Sequence, residues 1–183
     1  MPRLDPITSK SALPQEHQEV ADAVVKVFGH IRGPFSMLLH SPLLAQQLLP
    51  IVTFVRSGSI VERDVRFAGI LTAARENESA YVWAAQVEQA RKNGIREELI
   101  DLIRAKGDPA KLPAGEREVV AYVRQLVRTK RIDEAAFDAL KNAQSAQWLV
   151  ELTGIVSFFG FVSTICNAFD VAPPEGGDKL QAG

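Results

Sequence analysis

The sequence predicts an all-α protein, and three observations carry that expectation. Apolar residues recur at helical spacing, as Val20, Val24 and Val25 do in the first long segment. Helix punctuation is frequent: Pro14 and Pro42 at first positions, Asp133 before a helical run, Gly94 behind one. No stretch alternates apolar and polar residues between turn signals, so no strand is expected.

Residues 1–12 are polar and aperiodic and read as an N-terminal arm. Leu13-Pro14 opens a helix that runs to about Phe28, and Gly33-Pro34 breaks the chain. A short apolar segment, PFSMLLHSP, follows; Ser41 then caps a helix with Pro42 at its first position, running to about Val55. Helices are expected over 62–75, 78–93 and 97–106, with Gly94 ending the second. Gly107-Asp108-Pro109 is a turn. A helix starts near Leu112-Pro113, another runs from Asp133 to Lys141, and one or two apolar helices fill 147–169. At least seven helices are expected, around a core drawn from Leu71, Trp83, Ile100, Val123, Leu126, Leu149, Ile155 and Phe158. Residues 13–172 form a single helical domain in this reading, and 173–183, rich in Pro and Gly, a mobile tail.

The two halves open alike. Leu13-Pro14-Gln15-Glu16-His17-Gln18-Glu19-Val20 lines up with Leu112-Pro113-Ala114-Gly115-Glu116-Arg117-Glu118-Val119. The match is either a degenerate internal duplication or a coincidence of two helix starts.

Composition removes several classes of function. The formal net charge is -1, so no basic surplus exists to neutralise phosphates, and nucleic acid is not an expected partner. The single cysteine, Cys166, permits no disulfide within the chain and suits a reducing, cytoplasmic setting. The start, MPRLDPITSKSALP, has no apolar core of a secretory signal. Residues 152–169 carry no charge, a length at the lower limit for a membrane span. Thr153, Gly154, Ser157, Gly160, Ser163, Thr164 and Asn167 interrupt that stretch, so a buried or subunit-interface helix is expected rather than a membrane segment. Such an apolar run also points to a homo-oligomer.

Two motifs carry a resemblance. One is Arg32-Gly33-Pro34-Phe35 with Leu38-Leu39-His40-Ser41-Pro42; the other runs from Arg75 to Gln86, R-E-N-E-S-A-Y-V-W-A-A-Q, followed by Ala90-Arg91-Lys92-Asn93-Gly94. With the ending Asn167-Ala168-Phe169-Asp170-Val171-Ala172-Pro173, they resemble the longer members of the carboxymuconolactone decarboxylase family over about residues 13–174. The resemblance implies the alkylhydroperoxidase D-like (AhpD-like) helical bundle, usually oligomeric, with sites near subunit contacts. It implies a small-molecule substrate, no cofactor and no metal.

The departures from that pattern decide the chemistry. The family's proton-transfer histidine, at the end of Y-x-W-x-x-H, falls on Gln86. The glutamate that many members carry in the preceding helix falls on Phe67, and a second common glutamate falls on Val82. An amide has no useful pKa, so Gln86 can orient a substrate oxygen but cannot exchange a proton as imidazole does. The related branch with Cys-x-x-Cys ahead of the histidine has Ser79 and Val82 at those positions here. With one cysteine in the chain, a two-thiol peroxidase cycle within a subunit is excluded.

The candidate catalytic residues are therefore Gln86 and His40, the only histidine within a family-like motif. Gln86 is either a pocket residue or a helix-surface glutamine, and His40 either a replacement acid–base group or a local hydrogen-bonding residue. Candidate substrate contacts are Tyr81, Trp83, Phe67, Arg32 and Asn167, for each of which a core or structural role is the competing reading. Glu62, Glu76 and Glu78 read as a solvated helix face, and Cys166 as an inert buried thiol. No two histidines have metal-ligand spacing, and no Walker, G-x-S-x-G or G-x-G-x-x-G motif occurs. The expected activity is that of a cofactor-independent lyase, isomerase or cyclase on a small cyclic or lactone-type acid. The alternative is an inactive ligand-binding or structural oligomer.

Overall fold

Proline and glycine positions set the order of elements. The computed structural model describes residues 2–180, and among these it has nine α-helices and no strand. They are α1 (Gln18–Phe28), α2 (Pro34–Leu38), α3 (Pro42–Thr53), α4 (Arg63–Glu76), α5 (Ala80–Lys92), α6 (Glu97–Arg104), α7 (Glu116–Thr129), α8 (Glu134–Lys141) and α9 (Ala146–Ala168). The all-α expectation holds, with boundaries within a few residues of those read from the sequence. Contacts divide the described chain into two compact units. Residues 2–59 with Ile165–Ala172 form one; Ile60–Thr164 with 173–180 form the other.

In the first unit α1 packs on α3, and α2 on α3. Gly33 turns the chain at φ +62°, a conformation that disfavours a Cβ, and Pro34 starts α2 behind it. The Phe28 and Phe35 rings meet at 4.9 Å, and the Arg56 guanidinium lies over Phe28 while donating to the Val27 carbonyl at 2.7 Å. Ser41 sits at the N-cap of α3 but makes no side-chain cap bond, so the expected cap is absent and Pro42 fixes the start. The helix ends by widening into a π turn, Phe54–Gly58.

The second unit is built around α4, whose residues from Phe67 to Arg75 are all buried. It packs against α5, α6 and α7. Gly69 marks its closest approach. A Cβ there would stand 3.2 Å from Leu152 and Val156 of α9 and 3.5 Å from Val119 of α7. Asp133 caps α8 by accepting from Ala136 N at 2.8 Å. The Glu118 carboxylate accepts from the Gly115 N–H at the start of α7. Leu71, Trp83, Ile100, Val123, Leu149 and Ile155 are buried. Leu126 and Phe158 are only half-buried, and Phe159 takes the inward place instead. Adjacent helical residues point about 100° apart, so a core assignment one position out lands on the flank.

The helix Ala146–Ala168 is long and apolar enough to cross a membrane by length and composition. In this fold it carries the side chains that close on Gly69, and its Thr153 hydroxyl pairs with Tyr122 at 2.9 Å.

Candidate functional site

The turn between α4 and α5 is three residues long, and the two helices pack against each other. Asn77 donates its side-chain amide to the Ala73 carbonyl at 2.7 Å, Glu78 adopts φ +51°, and Ser79 N returns to the Ala74 carbonyl at 3.1 Å. At about 1.5 Å per residue, Phe67 on α4 and Gln86 on α5 lie roughly 14 and 9 Å from this turn. Phe67, Tyr81 and Trp83 are buried, and Gln86 is half-buried. The Gln86 amide makes no hydrogen bond among the described residues, so both its oxygen and its nitrogen are uncommitted. Val82, at the position of a carboxylate in the resembled family, is buried.

Four buried polar atoms of this unit stand without a hydrogen-bond partner among the described residues, two of them Nε and Nη2 of Arg124. The hydroxyls of Ser79 and Ser163 are fully buried and have no partner among the described residues. A buried hydroxyl left unpaired costs about 1–3 kcal/mol, so such groups are uncommon without a reason.

The other nominated residues belong to the first unit. His40 is exposed and its Nε2 lies 3.0 Å from the Asp5 carbonyl oxygen; a carbonyl only accepts, so Nε2 carries the proton there. Arg32 is exposed on the turn before Gly33, and Asn167 is exposed near the end of α9. The nominated set therefore divides, with Phe67, Tyr81, Trp83 and Gln86 together on the α4–α5 pair and His40, Arg32 and Asn167 in the other unit.

Sequence reasoning missed the charged groups. Glu76 was expected on a solvated face, but its side chain is 2% exposed. Arg128 binds it with two hydrogen bonds, at 2.7 and 2.9 Å, and Arg124 Nε approaches to 3.4 Å. Arg124 is itself buried, donates to the Gly107 carbonyl at 2.6 Å and has its basicity lowered, first by burial. Buried Arg75 donates to the Arg104 carbonyl at 2.8 Å. A carboxylate at the helix end can be enclosed here because α7 brings two guanidiniums to it, which local sequence does not announce.

Asp178 is the second miss. It lies in the Pro/Gly segment after α9, and its carboxylate accepts four hydrogen bonds. Trp83 Nε1 and Arg104 Nε reach Oδ1 at 2.9 and 3.1 Å; Arg104 Nη2 and Arg91 Nη2 reach Oδ2 at 2.8 and 3.0 Å. Burial alone would raise its pKa; the bonds from Trp83, Arg104 and Arg91 outweigh that and hold it below the usual carboxylate range. Trp83 thus has two roles: its ring is entirely buried, and its N–H anchors the tail.

A small cleft of about 90 Å³ lies elsewhere in this unit, lined by Asp64, Gly94, Ile95, Arg96, Leu99 and Glu116. Arg96 and Glu116 already face each other across it in a two-bond ion pair, and burial lifts the Glu116 carboxyl. It contains none of the nominated residues. No group of three His, Cys, Asp or Glu side chains placed to hold a metal ion occurs among the described residues. Cys166 is buried, and burial pushes its thiol up to about 12.

Comparison with solved structures identifies the fold. An AhpD-core, uncharacterised peroxidase-related protein from Ralstonia eutropha superposes with a TM-score of 0.77 at 17% identity, covering 96% of this chain and 93% of that one. An uncharacterised peroxidase-related protein from a Silicibacter species gives 0.77 at 16%, over 98% and 96%. A variant of the debrominase Bmp8 in complex with 2,3,4-tribromopyrrole gives 0.74 at 14%, over 97% and 90%. No family model and no curated protein matches the sequence. The chain is an all-helical protein with the AhpD-like fold, and at these identities the likeness is one of architecture.

Proposed function

We propose that this protein is a cofactor-independent lyase, isomerase or cyclase that binds a small cyclic or lactone-type acid along the α4–α5 pair. The observation that carries the reading is Gln86: a half-buried amide, free of protein partners among the described residues, on the helix that resembles the family's proton-transfer helix. Phe67, Tyr81 and Trp83 supply buried apolar surface on the same two helices. The unpaired Ser79 and Ser163 hydroxyls add polar points of the kind a ligand oxygen satisfies.

In this reading Gln86 holds a substrate oxygen, and rate comes from positioning and fixed dipoles rather than from a proton shuttle. Of the remaining candidates, His40 would serve as a replacement acid–base group, and Arg32 and Asn167 as substrate contacts. The debrominase with the same fold was caught with a small halogenated ring, which favours a ring-shaped ligand here too. The protein would act in the cytoplasm as a homo-oligomer, without metal, nucleic acid or membrane.

The reading is tested by ligand-observed NMR with a set of small lactones and cyclic acids. Binding should weaken by about 1–3 kcal/mol in Gln86→Ala, the loss of one buried hydrogen bond. Ligands that bind wild type and Gln86→Ala equally would remove the basis for this site.

A second reading has its own observation. Leu43, Leu44, Ile51 and Phe54, on α3 and the π turn behind it, are exposed apolar residues. Such a face favours a structural oligomer of an inactive relative, and retention of binding without any turnover would select it.

A further inference from the structure

The Asp178 carboxylate occupies a receptor whose two arginines have partners of their own besides Asp178. Arg91 is held by Glu97 through two bonds, at 2.7 and 2.9 Å. Arg104 is held by Asp101, and its guanidinium lies 5.7 Å from the centroid of the buried Trp83 ring. The ligand, by contrast, rides on a helix-free segment whose descent onto α5 requires two glycines. Gly176 takes φ +69°, and a Cβ on Gly177 would stand 2.9 Å from the Pro174 carbonyl and 3.0 Å from Ala84 Cβ. Four donors converge on two oxygens, which is complete recognition of a carboxylate, and the Asp178 side chain is 12% exposed.

We propose that the notch formed by Trp83, Arg91 and Arg104 is a carboxylate-binding site, filled in cis by Asp178 and opened to an external carboxylate when the 173–180 strap lifts. A rigid receptor paired with a tethered ligand is the arrangement in which an outside ligand of the same chemistry can compete. The tether gives Asp178 an effective concentration on the order of millimolar, so a free acid must approach that level or the strap must be weakened. Glu97 and Asp101 flank the notch, half or more exposed to water, and disfavour a dianion such as phosphate. The site therefore selects a singly charged carboxylate group. Whether that group belongs to a free small acid or to an acidic peptide is a question of source, not of chemistry.

The indole N–H resonance of Trp83 reads the site directly; Trp148→Phe assigns it, because the chain has two tryptophans. Asp178→Ala should shift this resonance. Sodium acetate should return it saturably, with a midpoint about tenfold or more below that of any response in the wild type. Sodium chloride at equal ionic strength should not, and adding Arg104→Ala should abolish the return. Restoration by a peptide of sequence PPEGGDKL but not by acetate assigns the site to acidic peptides. Restoration by neither, in a variant with wild-type circular dichroism, overturns the proposal. Should Asp178→Ala fail to fold, wild-type hydrogen exchange decides: acetate, and not chloride, should speed exchange of the Gly177 and Lys179 amides, and no difference between the salts overturns it.

Discussion

Two regions of one unit have traded what the resembled family leads a reader to expect. Around Gln86, where acid–base groups belong, stand Phe67, Val82 and an amide. Around Glu76 and Asp178, where a helix end and a loose tail were expected, carboxylates are enclosed by Arg124, Arg128, Arg91 and Arg104. Both arrangements sit on one framework, in which α4 is buried from Phe67 to Arg75. The lesson is that architecture and ionic chemistry vary independently. A bundle can lack titrating groups at the positions where the resembled family carries them and still hold buried ions elsewhere, as anchors for helices and tail.

The comparison is sharpened first at Glu76. Replacing it by Ala leaves Arg124 next to Arg75 with only the weaker influence of Asp108 to offset its charge. Breaking a buried pair costs 3–5 kcal/mol, and Arg128 is half-exposed and can turn to water, so a loss of about 3 kcal/mol in urea unfolding is expected. A loss under 1 kcal/mol would mean that the cluster is peripheral.

Asp178 should have a smaller effect. Asp178→Ala removes charge-assisted bonds and should cost about 1–2 kcal/mol. The pH dependence has a definite sign. The folded-state pKa lies below the unfolded value of about 3.9, so the contribution is complete above that value and is lost as pH falls through the folded one. Stability of Asp178→Asn should therefore fall less steeply than wild type below about pH 4, which acid titration of the unfolding free energy measures.

At Gln86 the stability effect should be smallest. Its side chain has no protein partner among the described residues, so Gln86→Ala should stay within about 0.5 kcal/mol of wild type while ligand binding weakens. A large loss of stability with unchanged binding would reverse the assignment. Cys166 offers a related check on chemistry. With its thiol pushed up to about 12, only roughly one molecule in a hundred thousand carries thiolate at pH 7. Hydroperoxide consumption should be absent and indifferent to Cys166→Ser.

The helices were legible because their signals are local. Pro42, Asp133 and Gly94 punctuate, and apolar spacing finds α4 through α9 to within a few residues. The α4–α5 turn and its Y-x-W-x-x-Q helix were legible through motif order. What sequence could not supply were pairings between distant segments: Glu76 with Arg128 lies 52 residues apart, and Trp83 with Asp178 lies 95. Neither partner carries a local mark. The Pro/Gly composition of the tail even argues for mobility, while Gly176 and Gly177 serve a close approach. Phe158 was misplaced by one residue, because the polar residues of α9 are spread around the helix and leave no single polar face to fix its phase.

The central claim is that position 86 has given up proton transfer while the fold that surrounds it persists. Carbon dioxide release from carboxymuconolactone tests it most directly, measured on wild type, Gln86→His, and Gln86→His combined with Phe67→Glu. The account predicts no turnover by wild type, little by the single variant, whose imidazole lacks a carboxylate partner, and a gain only in the pair. Decarboxylation by the wild-type protein, above the uncatalysed rate and retained in Gln86→Ala, would contradict it.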